Sequence, residues 1–345
     1  MMNIKTNPFK AVSFVESAIK KALDNAGYLI ADIKYDGVRG NIVVDNLGYA
    51  SWLSRVSKPI PALEYLSTYD VRWSRMLNDD RCIFPDGFML DGELLVKGVD
   101  FNTGSGLLRT KWCKKANIEF LSDDAYCEAI DMYGKVRRNH PFQLDPKRLS
   151  VRLYAVLPLD VVESGEDHTV QNLLMPYHVE AIRSLLVEYF PEIEWLTAET
   201  YEVYDMDSLS ELYEAKREEG HEGLIVKDPM CIYKRGKKSG WWKLKPENEA
   251  DGIIQGLVWG TEGLANEGKV IGFEVLLESG RVVNATNISR TLMDEFTNTV
   301  NIEGETYYNG HACQIAYMEE TPDGSLRHPS FVMFRGTEDN PKEKM

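Results

Sequence analysis

Residues 28–39 read Tyr-Leu-Ile-Ala-Asp-Ile-Lys-Tyr-Asp-Gly-Val-Arg. The apolar run YLIADIK (28–34) predicts a β-strand. Asp36-Gly37 directly after it predicts a sharp reversal, with GNIVVD (40–45) as the hairpin partner. The strand thus delivers Lys34 to a turn. A lysine amine becomes a nucleophile when its ammonium is partly deprotonated, and nearby cations favour that; Arg39 is close enough in sequence to be one. The alternative reading is an exposed turn with ordinary surface charges. At typical residue frequencies, K-x-D-G-x-R arises by chance in about one chain in a few hundred.

Working outward, Asn7-Pro8 followed by FKAVSFVESAIKKAL predicts a capped amphipathic helix ending near Gly27. FMLDGELLV (88–96), RLYAVLPLDVV (152–162), GLIVKD (223–228) and WWKLKP (241–246) predict strands. MPYHVEAIRSLLVEYF (175–190) and DSLSELYEAKREEG (207–220) predict helices. Residues 104–150, rich in Gly, Lys, Arg and Asn, are expected as an insertion or long loops. The composition shifts near residue 246: residues 1–245 carry 32 Lys+Arg and 37 Asp+Glu, and residues 246–345 carry 7 and 17. Beyond the shift come short strands (DGIIQGLVWG, KVIGFEVLLESG, RVVNATNIS, HACQIAYMEE) and one helix (SRTLMDEFTNTV). That pattern suits a small five-stranded barrel of the OB type.

Three further motifs carry chemistry. In Leu90-Asp91-Gly92-Glu93-Leu94, strand period two puts Asp91 and Glu93 on one face. Paired carboxylates suit Mg²⁺, which takes oxygen ligands and keeps several waters; a polar strand edge is the alternative. In Glu222-Gly223-Leu224-Ile225-Val226-Lys227, Glu222 could supply another metal carboxylate and Lys227 a phosphate contact; a core strand with charged ends is the alternative and, for this segment alone, the favoured reading. At strict period two they point to opposite faces, so both serve one pocket only if the strand twists or starts after Glu222. Between Lys234 and Lys245, six of twelve residues are basic and none acidic. Parity there puts Trp241, Lys243 and Lys245 on one face and Trp242 and Leu244 on the other. A strand showing two lysines beside a basic loop suits phosphate; a solvated loop is the alternative, weakened by the alternation for Lys243 and Lys245 but not for Lys234 to Lys238.

Composition bounds the rest. The 345 residues carry a net charge of −15 with 43% apolar residues, which supports sizeable cores, suggests roughly two domains and excludes a globally basic nucleic-acid coat. Five scattered cysteines, none in a CxxC pair, support neither a disulfide framework nor a cysteine zinc site. No run approaches the ~20 apolar residues of a membrane span, and the N-terminus lacks an apolar targeting core. A soluble protein of a reducing compartment is expected.

In this order, K-x-D-G-x-R, DGE, EGLIVK and K-x-K resemble the covalent nucleotidyltransferase superfamily of DNA ligases, RNA ligases and mRNA-capping enzymes. Ser54-Arg55 resembles the element that family places between its first two motifs. NPFKAVSFVESA, FNTGSGLLRTKW (101–112) and RHPSFVMFRGTEDNP (327–341) are similar to the small ATP-dependent DNA ligases of T-odd bacteriophages. The resemblance covers the chain apart from roughly 113–148 and 297–310. It implies an α+β fold: an adenylation (nucleotidyltransferase) domain of antiparallel sheets and helices over 1–245, then an OB-fold β-barrel over 246–345. It implies sealing of nicks in duplex DNA by an ATP-consuming, Mg²⁺-dependent monomer, in phage DNA replication, repair and recombination in the cytoplasm of the infected bacterial host. Lys34 would be the nucleophile. Arg39 and Arg55 would contact ribose and phosphates, and Glu93 and Glu222 would serve the sugar or the metal. Lys243, supported by Lys245, would meet the α-phosphate, with Lys227 and Lys237 as further phosphate contacts. Tyr154 matches the adenine-stacking aromatic, and the strand around Asp32, Ile33 and Tyr35 would line the nucleotide.

One departure stands out. Many relatives end on an R-x-D-K motif that helps expel pyrophosphate, whereas this chain reads Arg335-Gly336-Thr337-Glu338-Asp339. Arg335, then Arg327, are the candidates for that role. A capping guanylyltransferase would share the first motifs but form a GMP adduct. An RNA ligase would usually lack this OB tail. A non-catalytic DNA clamp would not need intact Lys34, Glu93, Glu222 and Lys243.

Overall fold

The computed structural model describes residues 4–318, 320 and 325–337. The strands in chain order are β1 (Phe9–Ser13), β2 (Leu29–Lys34), β3 (Val38–Asp45), β4 (Ala50–Ser54), β5 (Gly87–Val96), β6 (Leu149–Pro158), β7 (His168–Gln171), β8 (Glu194–Thr197) and β9 (Thr200–Val203). They continue as β10 (Gly223–Lys227), β11 (Ile232–Tyr233), β12 (Gly236–Leu244), β13 (Asn248–Trp259), β14 (Val270–Leu277), β15 (Val282–Ala285), β16 (His311–Tyr317) and β17 (Ser330–Thr337). One sheet has the order β1-β12-β10-β2-β9, a second β4-β3-β5-β6-β8, a third β15-β14-β13-β16-β17, and β11 pairs with β7. By packing, one unit takes in Tyr35–Tyr201, Lys227–Trp241 and the N-terminal stretch to Ala11. The other takes in Val12–Lys34, Glu202–Val226 and the chain from Trp242 onward.

In the first unit, β5 sits at the centre of its sheet and is buried along almost its whole length. Its neighbours are antiparallel, while β6 pairs with β8 in parallel. The helix Met175–Tyr189 packs on β6 and β8, and Trp73 meets Phe190 at 4.0 Å between ring centroids. In the second unit, Phe273, Phe296, Tyr308 and Phe331 share one aromatic core with Val275, Ile315 and Met293. The five strands of that core are all antiparallel. A parallel bridge between Thr286 and Ser330 joins the ends of the two edge strands, closing the sheet into the expected OB barrel. Its helix, Arg290–Glu303, falls between β15 and β16, with the Ser289 hydroxyl capping Leu292 N–H.

Several local expectations change. Asn7-Pro8 opens no helix: Phe9–Ser13 is strand, and the helix runs Glu16–Ala26, ended by Gly27 at φ +79°. Tertiary contacts decide this, because Phe9 stacks on Trp241 at 4.6 Å and its N–H donates to Tyr233 Oη at 3.0 Å. β3 is not the hairpin partner of β2; it pairs with β4 and β5. Gly37 serves close packing, since a Cβ there would lie 2.7 Å from both Glu93 Cγ and Leu94 O. Pro158 ends β6, and LDVV turns into the helix Leu159–Ser164. The basic stretch from Gly236 is strand rather than loop, and Trp241 is as buried as Trp242. Residues 104–150 hold short helical pieces, including Ile118–Phe120 and Asp123–Ala129. None of the described helices is long and apolar enough to cross a membrane.

Candidate active site

β2 ends on Lys34, and the Lys34 Nζ is ion-paired with Glu222 Oε2. The other oxygen of Glu222 accepts from Lys245 Nζ at 2.6 Å, so one carboxylate sits between two ammoniums. Glu222 directly precedes β10 and Lys245 directly follows β12. The strand therefore begins after Glu222. Gly223, at φ +150°, allows this: a Cβ would lie 2.0 Å from Leu244 O. Arg217 steadies the approach by donating to the carbonyls of His221 and Glu222 at 3.0 and 3.1 Å. Burial pushes the Glu222 pKa up, but the Lys34 charge and the Lys245 hydrogen bond outweigh it and hold the carboxyl below its usual range. Lys243, one residue inside β12's end, pairs with Glu247 at 2.6 Å.

A second cluster lies within the first unit. Across β3 and β5, Arg39 faces Glu93 and Asn41 faces Asp91. Arg39 reaches diagonally and grips Asp91 with Nε at 2.7 Å and Nη2 at 2.6 Å. Asn41 Nδ2 donates to the same carboxylate at 2.9 Å and Tyr233 Oη at 2.5 Å. Burial lowers the Arg39 pKa, yet the Asp91 charge more than offsets it, so the guanidinium stays charged. Tyr154 carries Arg39 over its ring at 4.6 Å and donates Oη to Glu93 at 3.4 Å. Lys227 is buried with its Nζ 4.2 Å from the Trp241 ring centroid.

The remaining candidates are scattered. Asp32 and Ile33 are buried in β2. Tyr35 accepts the Glu199 N–H at 3.1 Å and lies under Arg152. Arg55, in the turn after β4, and Lys237, on β12, are exposed. Arg327 pairs with Glu16 and covers the Phe14 ring at 5.2 Å. Arg335 lies 3.4 Å from Asp251. Glu338 and Asp339 of the altered tail motif fall outside the described residues.

The model of the ATP dependent DNA ligase domain matches residues 8–245, and that of the DNA ligase C-terminal domain matches 246–306 and 301–335. This chain belongs to the ATP-dependent DNA ligases. The DNA ligase of Enterobacteria phage T3 is 75% identical over 352 residues, covering 100% of both chains. That of Escherichia phage T7 is 71% identical over 364 residues, again covering 100% of both. The solved structure of the ATP-dependent DNA ligase from bacteriophage T7 in complex with ATP matches with a TM-score of 0.88 and 70% identity, over 97% of this chain and 100% of that one.

Two features of this ligase are not legible in its motifs. Asp91 is not a spare metal ligand beside Glu93, because Arg39, Asn41 and Tyr233 surround its carboxylate. Tyr233 joins the cluster from 142 residues away in sequence, and its only signal is an apolar Ile-Tyr pair. Glu247 is findable, since Lys243 and Glu247 are spaced i,i+4. Among the described residues, no three His, Cys, Asp or Glu side chains gather into a metal cage. Single carboxylates such as Glu93 and Glu222 still fit Mg²⁺, which commonly binds through one or two carboxylates plus waters and substrate phosphates.

Proposed function

We propose that this ligase seals nicks in duplex DNA through Lys34. The amine attacks the α-phosphate of ATP. A P–N bond forms, the bond to the β-phosphate's bridging oxygen breaks, and pyrophosphate leaves. The AMP is then passed to the 5′-phosphate at the nick, regenerating the lysine. The 3′-hydroxyl finally attacks that phosphate, expelling AMP and closing the strand. Splitting the reaction keeps the activated phosphate in a covalent bond until DNA is present.

The observation that carries this reading is the Lys34–Glu222–Lys245 array at the ends of three strand segments. Lys34 must lose a proton as it attacks. A carboxylate with a depressed pKa is a poor base, so Glu222 orients the lysine rather than deprotonating it. Lys243 and Lys245 then supply positive charge for the α-phosphate, with Lys227 and Lys237 as further phosphate contacts. Arg39 and Arg55 contact ribose and phosphate, Tyr154 takes the adenine face, and Asp32, Ile33 and Tyr35 line the nucleotide. Glu93 and Glu222 would hold Mg²⁺, which supplies charge neutralisation on the triphosphate. Arg335, or failing that Arg327, takes the pyrophosphate-expelling role. We further propose that 1–245 and 246–345 act as the catalytic and OB domains, which the junction of the two family models at 245/246 supports. The enzyme is read as a monomer working on phage DNA in the host cytoplasm.

Incubation with α-labelled ATP or GTP, then denaturing electrophoresis, tests the first step. Label from ATP alone, followed by sealing of nicked DNA, is the expected result. Label from GTP would favour a capping enzyme, and no label would remove the nucleophile assignment.

A further inference from the structure

The segment from Arg109 to Arg148 takes no part in the steps above, yet it has an unusual charge arrangement. Residues 135–142 pair at their start with the preceding strand-like piece, Asp131 N–H to Lys135 O and Arg137 N–H to Ala129 O, both at 2.8 Å. At their end they pair with 111–113, Cys113 N–H to His140 O at 2.8 Å and Phe142 N–H to Lys111 O at 3.0 Å. Residues 111–113 therefore lie beside residues 140–142; Lys114 and Lys115 directly follow the first stretch, and Lys135, Arg137 and Arg138 come shortly before the second, so each stretch is one arm with three cations. No acidic residue occurs in 109–117 or 132–144. The acids nearby lie on other pieces: Glu119 in Ile118–Phe120, Asp123, Asp124 and Glu128 on the short helix Asp123–Ala129, and Asp145, which accepts the Lys147 N–H at 3.0 Å. Asp131 is committed to its own turn, accepting the Tyr133 and Lys135 N–H groups at 2.9 Å each.

All six basic side chains are exposed, and among the described residues none makes an ion pair. Elsewhere in this acidic chain cations find carboxylates readily, as Arg72, Arg81, Arg183, Lys238 and Lys243 do. Six unpaired cations on adjoining arms repel one another, and a polyanion relieves that repulsion. The turn that leads into the second arm carries Met132 and Tyr133 at its tip, 88% and 79% exposed.

We propose that the paired arms 111–115 and 135–140 form a clamp for the sugar–phosphate backbone of duplex DNA. The inference rests on the ligase reading and adds to it a DNA-binding surface separate from the nucleotide-binding residues. Lysine and arginine at this density neutralise phosphates and release counterions. Each phosphate contact contributes about −0.9 to the slope of log affinity against log salt, without regard to base sequence.

The test compares the full-length enzyme with Lys111→Gln/Lys114→Gln/Lys115→Gln and Lys135→Gln/Arg137→Gln/Arg138→Gln. A control, Lys5→Gln/Lys97→Gln/Arg281→Gln, loses the same charge from other exposed positions. Binding of a nicked duplex is read by fluorescence anisotropy across a salt series, and lysyl-AMP formation without DNA is measured on the same samples. Either arm variant should bind at least about tenfold more weakly near 0.1 M salt, with a slope shallower by roughly 2–3. Adenylation and the circular dichroism melt should be unchanged. Unaltered affinity with normal adenylation overturns the clamp and leaves the ligase reading intact. Equal weakening in the control shows a net-charge effect and also overturns it. Arm variants that lose affinity for single-stranded RNA but not for the duplex assign the surface to another partner. Failure of the wild type to adenylate at all would instead indict the ligase reading.

Discussion

Tyr233 donates its hydroxyl to Asp91 at 2.5 Å while Arg39 holds the same carboxylate through two nitrogens. Tyr233 and Asp91 are fully buried. Burial and the neighbouring carboxylate push the Tyr233 phenol well above its ordinary pKa, so it remains a donor. Asp91 thus acts as the anvil that fixes Arg39 beside Tyr154. Tyr233→Phe should lower stability by about 1–2 kcal/mol, the cost of a poorly satisfied buried acceptor. It should also raise the KM for ATP in adenylation with little change in kcat. Asp91→Asn should be harsher, at the lower end of ~3–5 kcal/mol, because Arg39 keeps some solvent. Urea unfolding with adenylation kinetics checks both; an unchanged KM in Tyr233→Phe would detach Arg39 from nucleotide binding.

Lys34→Ala should abolish the covalent AMP adduct, since among the described residues Glu222 pairs with Lys34 and Lys245 and with no third amine. The same variant should still join a pre-adenylated nick, because the last step needs no lysine nucleophile. Mass spectrometry of the protein and gel analysis of the DNA separate the two steps. An adduct surviving on the variant would move the nucleophile elsewhere.

How much of this is readable in the sequence depends on the range of the interactions. Lys34, Glu222, Lys243 and Lys245 stand out because charged residues at strand ends keep their meaning whatever the strands pack against. The barrel is readable too, from short apolar runs separated by turn residues and interrupted by one helix. Phe9 departs from its sequence pattern because its helical context is overruled by Trp241 and Tyr233, more than two hundred residues away. The hairpin expected after Lys34 fails for a related reason. Asp36-Gly37 looks like a turn, but Gly37 is there to let Glu93 approach. Asp91 shows the limit for the site: parity puts it beside Glu93 correctly, and only the fold reveals that three donors already occupy it.

Glu222 gives a pH dependence with a definite sign. Its pKa is depressed in the folded state, so its contribution to stability is complete above the unfolded value, about 4.3. That contribution is lost as pH falls through the lower folded value. Glu222→Gln should therefore be clearly less stable than the wild type near neutrality, and the two should converge in acid. Urea midpoints at pH 7, 5 and 3.5 test this. Adenylation by the variant should fall roughly 100-fold, since misplacing a reacting group by about 1 Å costs that much. A gap that widens in acid would contradict the assignment.

Metal removal should stop adenylation. The described residues offer no preassembled cage, so the cation would be bound largely through the triphosphate and lost easily to chelator. Metal-stripped enzyme in excess EDTA should form no adduct, and Mg²⁺ alone should restore it. The unfolding midpoint should not move, because the described residues form no cage for a structural metal. Undiminished adenylation under chelation would remove Glu93 and Glu222 as metal carboxylates.

Gly223 and Gly106 make a final, paired prediction. Gly223 sits at φ +150°, where an L-side chain is strained, and a Cβ would come within 2.0 Å of Leu244 O. That oxygen is backbone and cannot swing away, so Gly223→Ala must push the end of β12 outward. Lys245 directly follows Leu244, and Glu222 directly precedes Gly223. The displacement would therefore open the Glu222–Lys245 pair, held at 2.6 Å. Strain of this kind is worth about 1–3 kcal/mol, and adenylation should fall by more than stability alone explains. Gly106 lies within the helix Phe101–Leu108, and a Cβ added there would meet nothing within 4 Å. Gly106→Ala should stabilise by about 0.4–1 kcal/mol through the unfolded chain and leave adenylation untouched. Urea unfolding and single-turnover adenylation of both variants decide it. Equal effects at the two positions would show that the close approach of Gly223 to Leu244 does not position the site.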